Sequence, residues 1–306
     1  MYGANYVFKI WIDTDGGIDD ILALILALNS NELEIIGIST VAGNVTVEKA
    51  TKNVLNFLEI YEKTNIYVYK GSDKPIVKDL ITAEYVHGSD GIGNLNLPSP
   101  KLKIVNNDYI EILKRSIEEY PNEIILITLG PLTNIAKLIM KYPKTVEKLK
   151  QIIIMGGAFF VPGNVSPDAE FNIYIDAEAA NIVMSHPIKK IFFGLDVTTK
   201  YPFDERFLNK LQKRNVGNER FYYIEHLLKF LLNLPGRENY CFLHDPIALL
   251  YAIDSSIYDL KEYSITISTN SKYGKTNINS SSINSALVCT GLNRQKVTEY
   301  FLTFFN

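Results

Sequence analysis

Residues 6–28 read YVFKIWIDTDGGIDDILALILAL. The opening run, Tyr6–Ile12, is apolar, β-branched and aromatic, which predicts a buried strand. A loop rich in Asp and Gly follows from Asp13. Ile18–Leu28 then carries apolar residues at helical spacing. Strand, acidic loop, helix is the unit that the rest of the chain repeats. Glu34–Val41 (EIIGISTV) predicts a second strand, with a helical stretch reaching Tyr61. Asn65–Tyr69, Ile124–Thr128, Gln151–Met155 and Lys190–Leu195 predict four more strands. Such alternation implies crossover units, so the expected class is α/β: a single open, mostly parallel sheet with helices on both faces. No Gly/Ser/Pro-rich linker or shift in composition divides the chain, so residues 1–306 are expected to form one domain. In open parallel sheets ligands bind beyond the carboxyl ends of the strands. Polar residues just after strands one, two, four and five are therefore expected to share one crevice.

Composition narrows the function classes. The 306 residues are 47% hydrophobic and 21% charged, with a net charge of -3 and a mean hydropathy of +0.02. This is a globular profile without the basic surface that nucleic-acid binding needs. No apolar run approaches the roughly 20 residues of a bilayer-spanning helix. Met1–Ile12 lacks the basic start and cleavage site of a secretory signal. Cys241 and Cys289 stand far apart and make neither a disulfide framework nor a CxxC metal motif. A cytoplasmic protein with no membrane or nucleic-acid partner is expected.

The loop Asp13-Thr14-Asp15-Gly16-Gly17-Ile18-Asp19-Asp20 places four carboxylates within eight residues. Crowded like charges cost free energy. A hard cation offsets that cost, because Ca²⁺ and Mg²⁺ select oxygen ligands. EF-hand spacing is absent, since the twelfth residue from Asp13 is Leu24 and not Glu. The plainer alternative is an N-capping aspartate on a solvated turn. A DxD after a first strand also occurs in haloacid-dehalogenase-like phosphatases, but Gly17 stands where those enzymes usually carry Thr or Val.

The acidic loop resembles the DxDPGxDD signature of the inosine–uridine-preferring nucleoside hydrolase family, with Gly16 in place of the usual Pro. Further motifs of that family follow in order: Thr40-Val41-Ala42-Gly43-Asn44, His87-Gly88-Ser89-Asp90-Gly91, Leu129-Gly130-Pro131-Leu132-Thr133-Asn134, Met155-Gly156-Gly157, Gly163-Asn164, Glu170-Phe171-Asn172 and His244-Asp245-Pro246. The resemblance implies a Rossmann-like, Ca²⁺-dependent N-ribohydrolase that cleaves ribonucleosides to free base and ribose, working as a homodimer or homotetramer. It implies Asp15, Asp20, Asp245 and the Leu129 carbonyl as Ca²⁺ ligands, with Asp15 also the general base. Asp19, Asn172 and Asp245 would hold the 2′- and 3′-hydroxyls of ribose. Asn164 and Glu170 would reach the 5′-hydroxyl. His244 would be the acid assisting the leaving base, and Asn44, Met155 and His87 would line the pocket. Asp13 is expected to support the loop.

Several of these residues also have plainer readings. Asn44 could cap the following helix. Pro131 suits the first position of a helix. Glu170 and Asn172, two apart, would face one side if the segment is extended. Ile81–Asn94, with Tyr85 and His87, is either a surface loop or a lid over the base. Tyr222, Tyr223 and His226 lie on an apparent helix before His244, and the resemblance implies that this region helps to recognise the base. His186 is expected to end a helix without a catalytic role. Trp11, the single tryptophan, belongs to strand one and cannot stack on a base, which leans toward pyrimidine or broad specificity over a purine-preferring enzyme.

Overall fold

The computed structural model describes residues 7–105, 108–236, 239–279 and 284–306. The chain alternates as its periodicity predicts. β1 (Phe8–Thr14), α1 (Ile18–Asn29), β2 (Leu33–Thr40), α2 (Val47–Ile60) and β3 (Val68–Lys70) come first. The middle contains α3 (Glu84–His87), α4 (Tyr109–Glu119), β4 (Ile125–Thr128), α5 (Thr133–Lys141), α6 (Pro143–Val146) and β5 (Gln151–Met155). Then follow α7 (Phe171–Ile175), α8 (Ala177–Ser185), β6 (Lys190–Phe193) and α9 (Leu195–Thr198). A two-stranded ribbon, β7 (Pro202–Asp204) with β8 (Tyr240–Phe242), brackets α10 (Glu205–Arg214) and α11 (Phe221–Leu232). The last elements are α12 (His244–Ile253), β9 (Tyr258–Ile267), β10 (Thr276–Asn279), β11 (Ser285–Leu292) and α13 (Arg294–Phe304).

Among the described residues the main sheet has nine strands in the order β10-β9-β11-β6-β5-β4-β1-β2-β3. Every neighbouring pair from β3 across to β11 is parallel, and β9 alone runs against its two neighbours. Successive residues of β4 feed opposite cores. Ile125 and Ile127 pack on one side with α1, α2 and α12, whereas Leu126 packs on the other with α4, α5 and α8. Burial on both faces explains why these strands read as unbroken apolar runs. From β1 the chain winds outward to β2 and β3, then returns to continue through β4, β5 and β6. The reversal lies between β1 and β4, where open sheets place their ligand crevice.

Some boundaries differ from the expectation. Tyr6 lies outside the described residues, and β1 runs on through Asp13 and Thr14. The ladder is what extends it: Leu129 N–H donates to Asp13 O (2.8 Å) and Val41 N–H to Thr14 O (3.0 Å). Pro131 precedes α5, whose N-cap is Leu132, so it does not occupy the first helical position. The Asn/Ser-rich stretch Thr269–Ser285, whose composition predicts a hairpin or loop, contributes β10 and the first residue of β11, with 280–283 outside the described residues. Strands β9 and β11 had no distinctive sequence signal. No helix among the described residues is long and apolar enough to cross a membrane.

Candidate active site

Asp13 ends β1 fully buried. Its Oδ2 accepts from Asn134 Nδ2 (2.7 Å) and from the Ser39 hydroxyl, which in turn accepts from Trp11 Nε1 (2.9 Å). Burial lifts the Asp13 carboxyl to about 7, against the pull of these two donors. It supports the loop from behind, as its position predicts. Asn134 also donates to Thr40 O (3.0 Å) and accepts from Ser72 N–H (2.9 Å), tying the ends of β1 and β2 to α5.

The loop then turns through Gly16 (φ 67°), where a Cβ would lie 2.5 Å from Ala50 Cα. A proline, held near φ −65°, cannot adopt this conformation. Gly16 N–H also donates to Thr14 Oγ1 (3.2 Å), a bond that proline would forgo. The departure from the DxDPGxDD pattern is therefore a different backbone turn that still delivers every carboxylate. Asp20 closes the turn. Its oxygens accept from Thr14 Oγ1 (2.5 Å), Asp15 N–H (3.2 Å) and Gly17 N–H (3.0 Å), at the positive end of α1.

Asn44 binds this loop from the end of β2. Its N–H donates to Asp15 Oδ2 (2.7 Å), and its Nδ2 bridges Asp15 Oδ1 (2.9 Å) and Asp20 Oδ2 (3.1 Å). The capping alternative is excluded, because Thr46 is the N-cap of α2. Gly43 permits the approach: a Cβ there would stand 2.1 Å from Asp15 Oδ2.

A cavity opens above these groups. Ten of the twelve residues singled out from the sequence line it: Asp19, Asn44, His87, Leu129, Met155, Asn164, Glu170, Asn172, His244 and Asp245. Asp15 (0% exposed) and Asp20 (1%) lie just beneath. One oxygen each from Asp19, Asp20 and Asp245 lie within 4.8 Å of one another. Asp15 adjoins this trio through the Asn44 amide, which bonds Asp15 and Asp20 together. Burial, then the charge of Asp20, pushes the Asp15 carboxyl well above the usual range. Burial and the charges of Asp19, Asp20 and Asp15 do the same to Asp245. Four buried carboxylates, with no lysine or arginine among the described lining residues, form an oxygen donor set that fits a hard divalent cation.

The opposite wall comes from β4, β5 and α7. Asn172 Nδ2 donates to Leu129 O (2.8 Å) and Met155 O (3.2 Å), spanning the ends of two strands. Glu170 is the N-cap of α7, and Asn172 lies within that helix. The extended segment expected here is therefore corrected. The helix start accounts for it: Glu170 accepts from Asn172 N–H (2.9 Å), Ile173 N–H (3.2 Å) and Gly157 N–H (3.0 Å). Burial raises the Glu170 carboxyl, opposed by these donors. Asn164 Oδ1 accepts from Phe171 N–H (2.9 Å).

His87 is buried at the end of α3, where Nδ1 accepts from Ile18 N–H (3.0 Å), the start of α1, and lies 3.9 Å from Asp19. Tyr85 beside it is 72% exposed. His244 opens α12, with Nδ1 2.7 Å from Thr198 Oγ1 and its ring 6.0 Å from that of Phe242. His186 ends α8, as expected, with Nε2 3.0 Å from Pro143 O. The expectation for Tyr222, Tyr223 and His226 is corrected. They lie on α11 but not on the cavity, which that helix reaches through Leu231 instead. Apolar packing decides this: Leu231 is on the buried face, Tyr222 is exposed, and His226 is held by Gly93 O (2.8 Å). Tyr85 and Val86, from the segment predicted as a loop or lid, also line the cavity, whereas sequence reasoning missed Val165, Phe171, Leu231 and Phe242 as cavity residues. Val165, Phe171 and Phe242 each lie within two residues of a predicted site residue; Leu231 carries no such hint.

The family model described as inosine-uridine preferring nucleoside hydrolase matches residues 10–299. The pyrimidine-specific ribonucleoside hydrolase RihA of Escherichia coli is 37% identical over 272 residues, covering 86% of this chain and 85% of that protein. The solved plant nucleoside hydrolase PpNRh1 superposes with a TM-score of 0.92 at 31% identity, covering 97% and 98% of the two chains. A purine-preferring ribonucleoside hydrolase from Gardnerella vaginalis gives a TM-score of 0.91 at 26% identity over the same shares.

Proposed function

The chain belongs to the inosine-uridine preferring nucleoside hydrolase family, and from that premise we propose that it cleaves ribonucleosides with a preference for pyrimidine bases, using Ca²⁺. One observation carries the reading. Buried carboxylates, amides suited to ribose hydroxyls and a histidine all face one cavity at the reversal of the sheet.

Asp15, Asp20, Asp245 and the Leu129 carbonyl are the groups we assign to the cation. When bound, Ca²⁺ supplies a Lewis acid that makes water more acidic and holds it ready to attack. Asp15 accepts a proton from the attacking water, whose oxygen joins the anomeric carbon. Asp19, Asn172 and Asp245 hold the 2′- and 3′-hydroxyls, which fixes the sugar in register. Glu170 and Asn164 receive the 5′-hydroxyl. Glu170 Oε1 accepts a single backbone bond, from Asn172 N–H, and keeps acceptor capacity for it. The carboxylates stabilise the positive charge that builds on the sugar as the bond to the base lengthens. The electron pair of that bond leaves with the base, which takes a proton from His244. Asn44, Met155 and His87 complete the wall.

The pyrimidine preference rests on the similarity to RihA and on Trp11. Trp11 is wholly buried, stacks on Tyr69 (5.5 Å) and cannot sandwich a purine. Because a purine-preferring enzyme shares this fold, the choice of base belongs to the side chains at the mouth. We read residues 1–306 as one domain that assembles as a homodimer or homotetramer. Cys241 and Cys289 are both buried and outside any disulfide among the described residues, which suits a reducing cytoplasm. A reducing-sugar assay over uridine, cytidine, inosine, adenosine and guanosine, with and without chelator, tests the proposal. Ribose release that is fastest from uridine or cytidine and abolished by chelator is the expected result. Undiminished release after the metal is stripped would end it.

A further inference from the structure

α9 contributes no residue to the cavity, yet it carries two buried polar side chains, Asp196 and Thr198. Asp196 is accounted for: it accepts from Phe159 N–H (2.8 Å) and Phe160 N–H (2.7 Å), holding the chain that leaves β5. Thr198 has no such role in the backbone. Its Oγ1 stands 2.7 Å from Nδ1 of His244, a residue that lies 46 positions further along the chain.

We propose that Thr198 is a positioning residue that keeps a proton on Nδ1 of His244, so that Nε2 is the atom that exchanges its proton with the departing base. This rests on the reading of His244 as the acid. An imidazole that gives up a proton to a leaving group begins with hydrogens on both nitrogens and ends with one. The threonine oxygen accepts from Nδ1–H before and after transfer. The retained hydrogen is then the one on Nδ1, and the Nε2 hydrogen passes to the base nitrogen as the C–N electron pair departs. A hydrogen bond at one ring nitrogen fixes which nitrogen is active at the other. Phe242 limits the ring from a second side, at 6.0 Å between centroids. Thr198 is wholly buried, so water cannot replace its hydroxyl. β6 therefore serves the site at one remove, through the short helix that follows it.

Thr198→Val keeps the shape of the side chain and removes the hydroxyl, and Thr198→Ser keeps the hydroxyl. His244→Ala gives the reference pattern. On uridine, whose base leaves poorly, Thr198→Val is expected to lose on the order of 10- to 100-fold in kcat/KM. On 4-nitrophenyl riboside, whose leaving group needs no proton, it should stay within about threefold of the parent, and Thr198→Ser should regain most of the uridine rate. Histidine-selective ¹⁵N labelling gives an independent readout, because the sequence contains four histidines. The His244 signals should show a protonated Nδ1 in the parent and in Thr198→Ser, and a tautomer mixture in Thr198→Val. If Thr198→Val slows both substrates alike or neither, while His244→Ala remains selective for uridine, the role of Thr198 is overturned and the acid survives. If His244→Ala is itself unselective, both ideas fall.

Discussion

The cavity has two unlike ends. At the floor, Asp15, Asp20 and Asn44 are locked to one another, to the Thr14 hydroxyl and to backbone N–H groups at 2.5–3.2 Å. These residues come from consecutive strand ends at the reversal of the sheet. At the mouth, Tyr85, Val86, Val165, Leu231 and Phe242 come from four separate segments and line the cavity with largely apolar side chains. The floor has one arrangement, because each oxygen and amide has a fixed partner. The mouth is defined by shape, and shape tolerates exchange of one apolar side chain for another. Under the function proposed above, ribose chemistry falls to the floor and the choice of base to the mouth.

Four experiments can break or sharpen this division. Asp15→Asn removes the proposed base at the floor and should lower kcat by on the order of 10³-fold on uridine and inosine alike. A loss that differs greatly between the two bases would show that floor and mouth are not separable. Next, 2′-deoxyuridine leaves the partners of the missing hydroxyl unsatisfied and should turn over about 10²- to 10⁴-fold more slowly than uridine. Equal rates would remove Asp19, Asn172 and Asp245 from the sugar. Gly43→Ala drives a methyl group into Asp15, and a displaced base should cost roughly 10²-fold in kcat, again without regard to the nucleobase. Steady-state kinetics together with a thermal melt would separate this from general unfolding. Smallest, Phe242→Ala should change the ratio of uridine to inosine in kcat/KM by about tenfold, mostly through KM. A large fall in kcat on both would place Phe242 in the machinery of the floor.

The same division decides what the sequence made legible. The floor is local: four carboxylates in one loop, and single polar residues directly after buried strands. Like-charge crowding has few explanations, and the topology of a parallel sheet puts strand ends together, so the residues could be gathered before any coordinates. Where local geometry was inferred it slipped. Glu170 and Asn172 sit at a helix start, not on an extended chain, because a glutamate accepting three backbone N–H groups reads in sequence like any other. Tyr222, Tyr223 and His226 lie on the helix that the sequence predicts, but that helix reaches the cavity through Leu231 and not through them. Leu231, which does face it, is indistinguishable by residue type from the leucines that fill the core beside it. Thr198 is the first of two adjacent threonines, which differ in sequence only by position, and its partner lies 46 residues away. Nothing periodic marks such a pair. β11 joins the sheet by pairing with β6, Leu287 beside Ile191, and brings β9 and β10 with it; a pairing so distant in sequence leaves only weak patterning.

The bond from Ile18 N–H to the His87 imidazole has a consequence for how the cavity admits its ligand. An excursion that carried His87 outward would strip the first amide of α1 of its acceptor, at a cost of about 1–3 kcal/mol until water arrived. The segment is thus hinged from within: Tyr85 can swing in solvent while His87, two residues away, stays anchored. Entry and product escape would then be governed by ring motion at the rim, on a timescale faster than the unfastening of a whole loop.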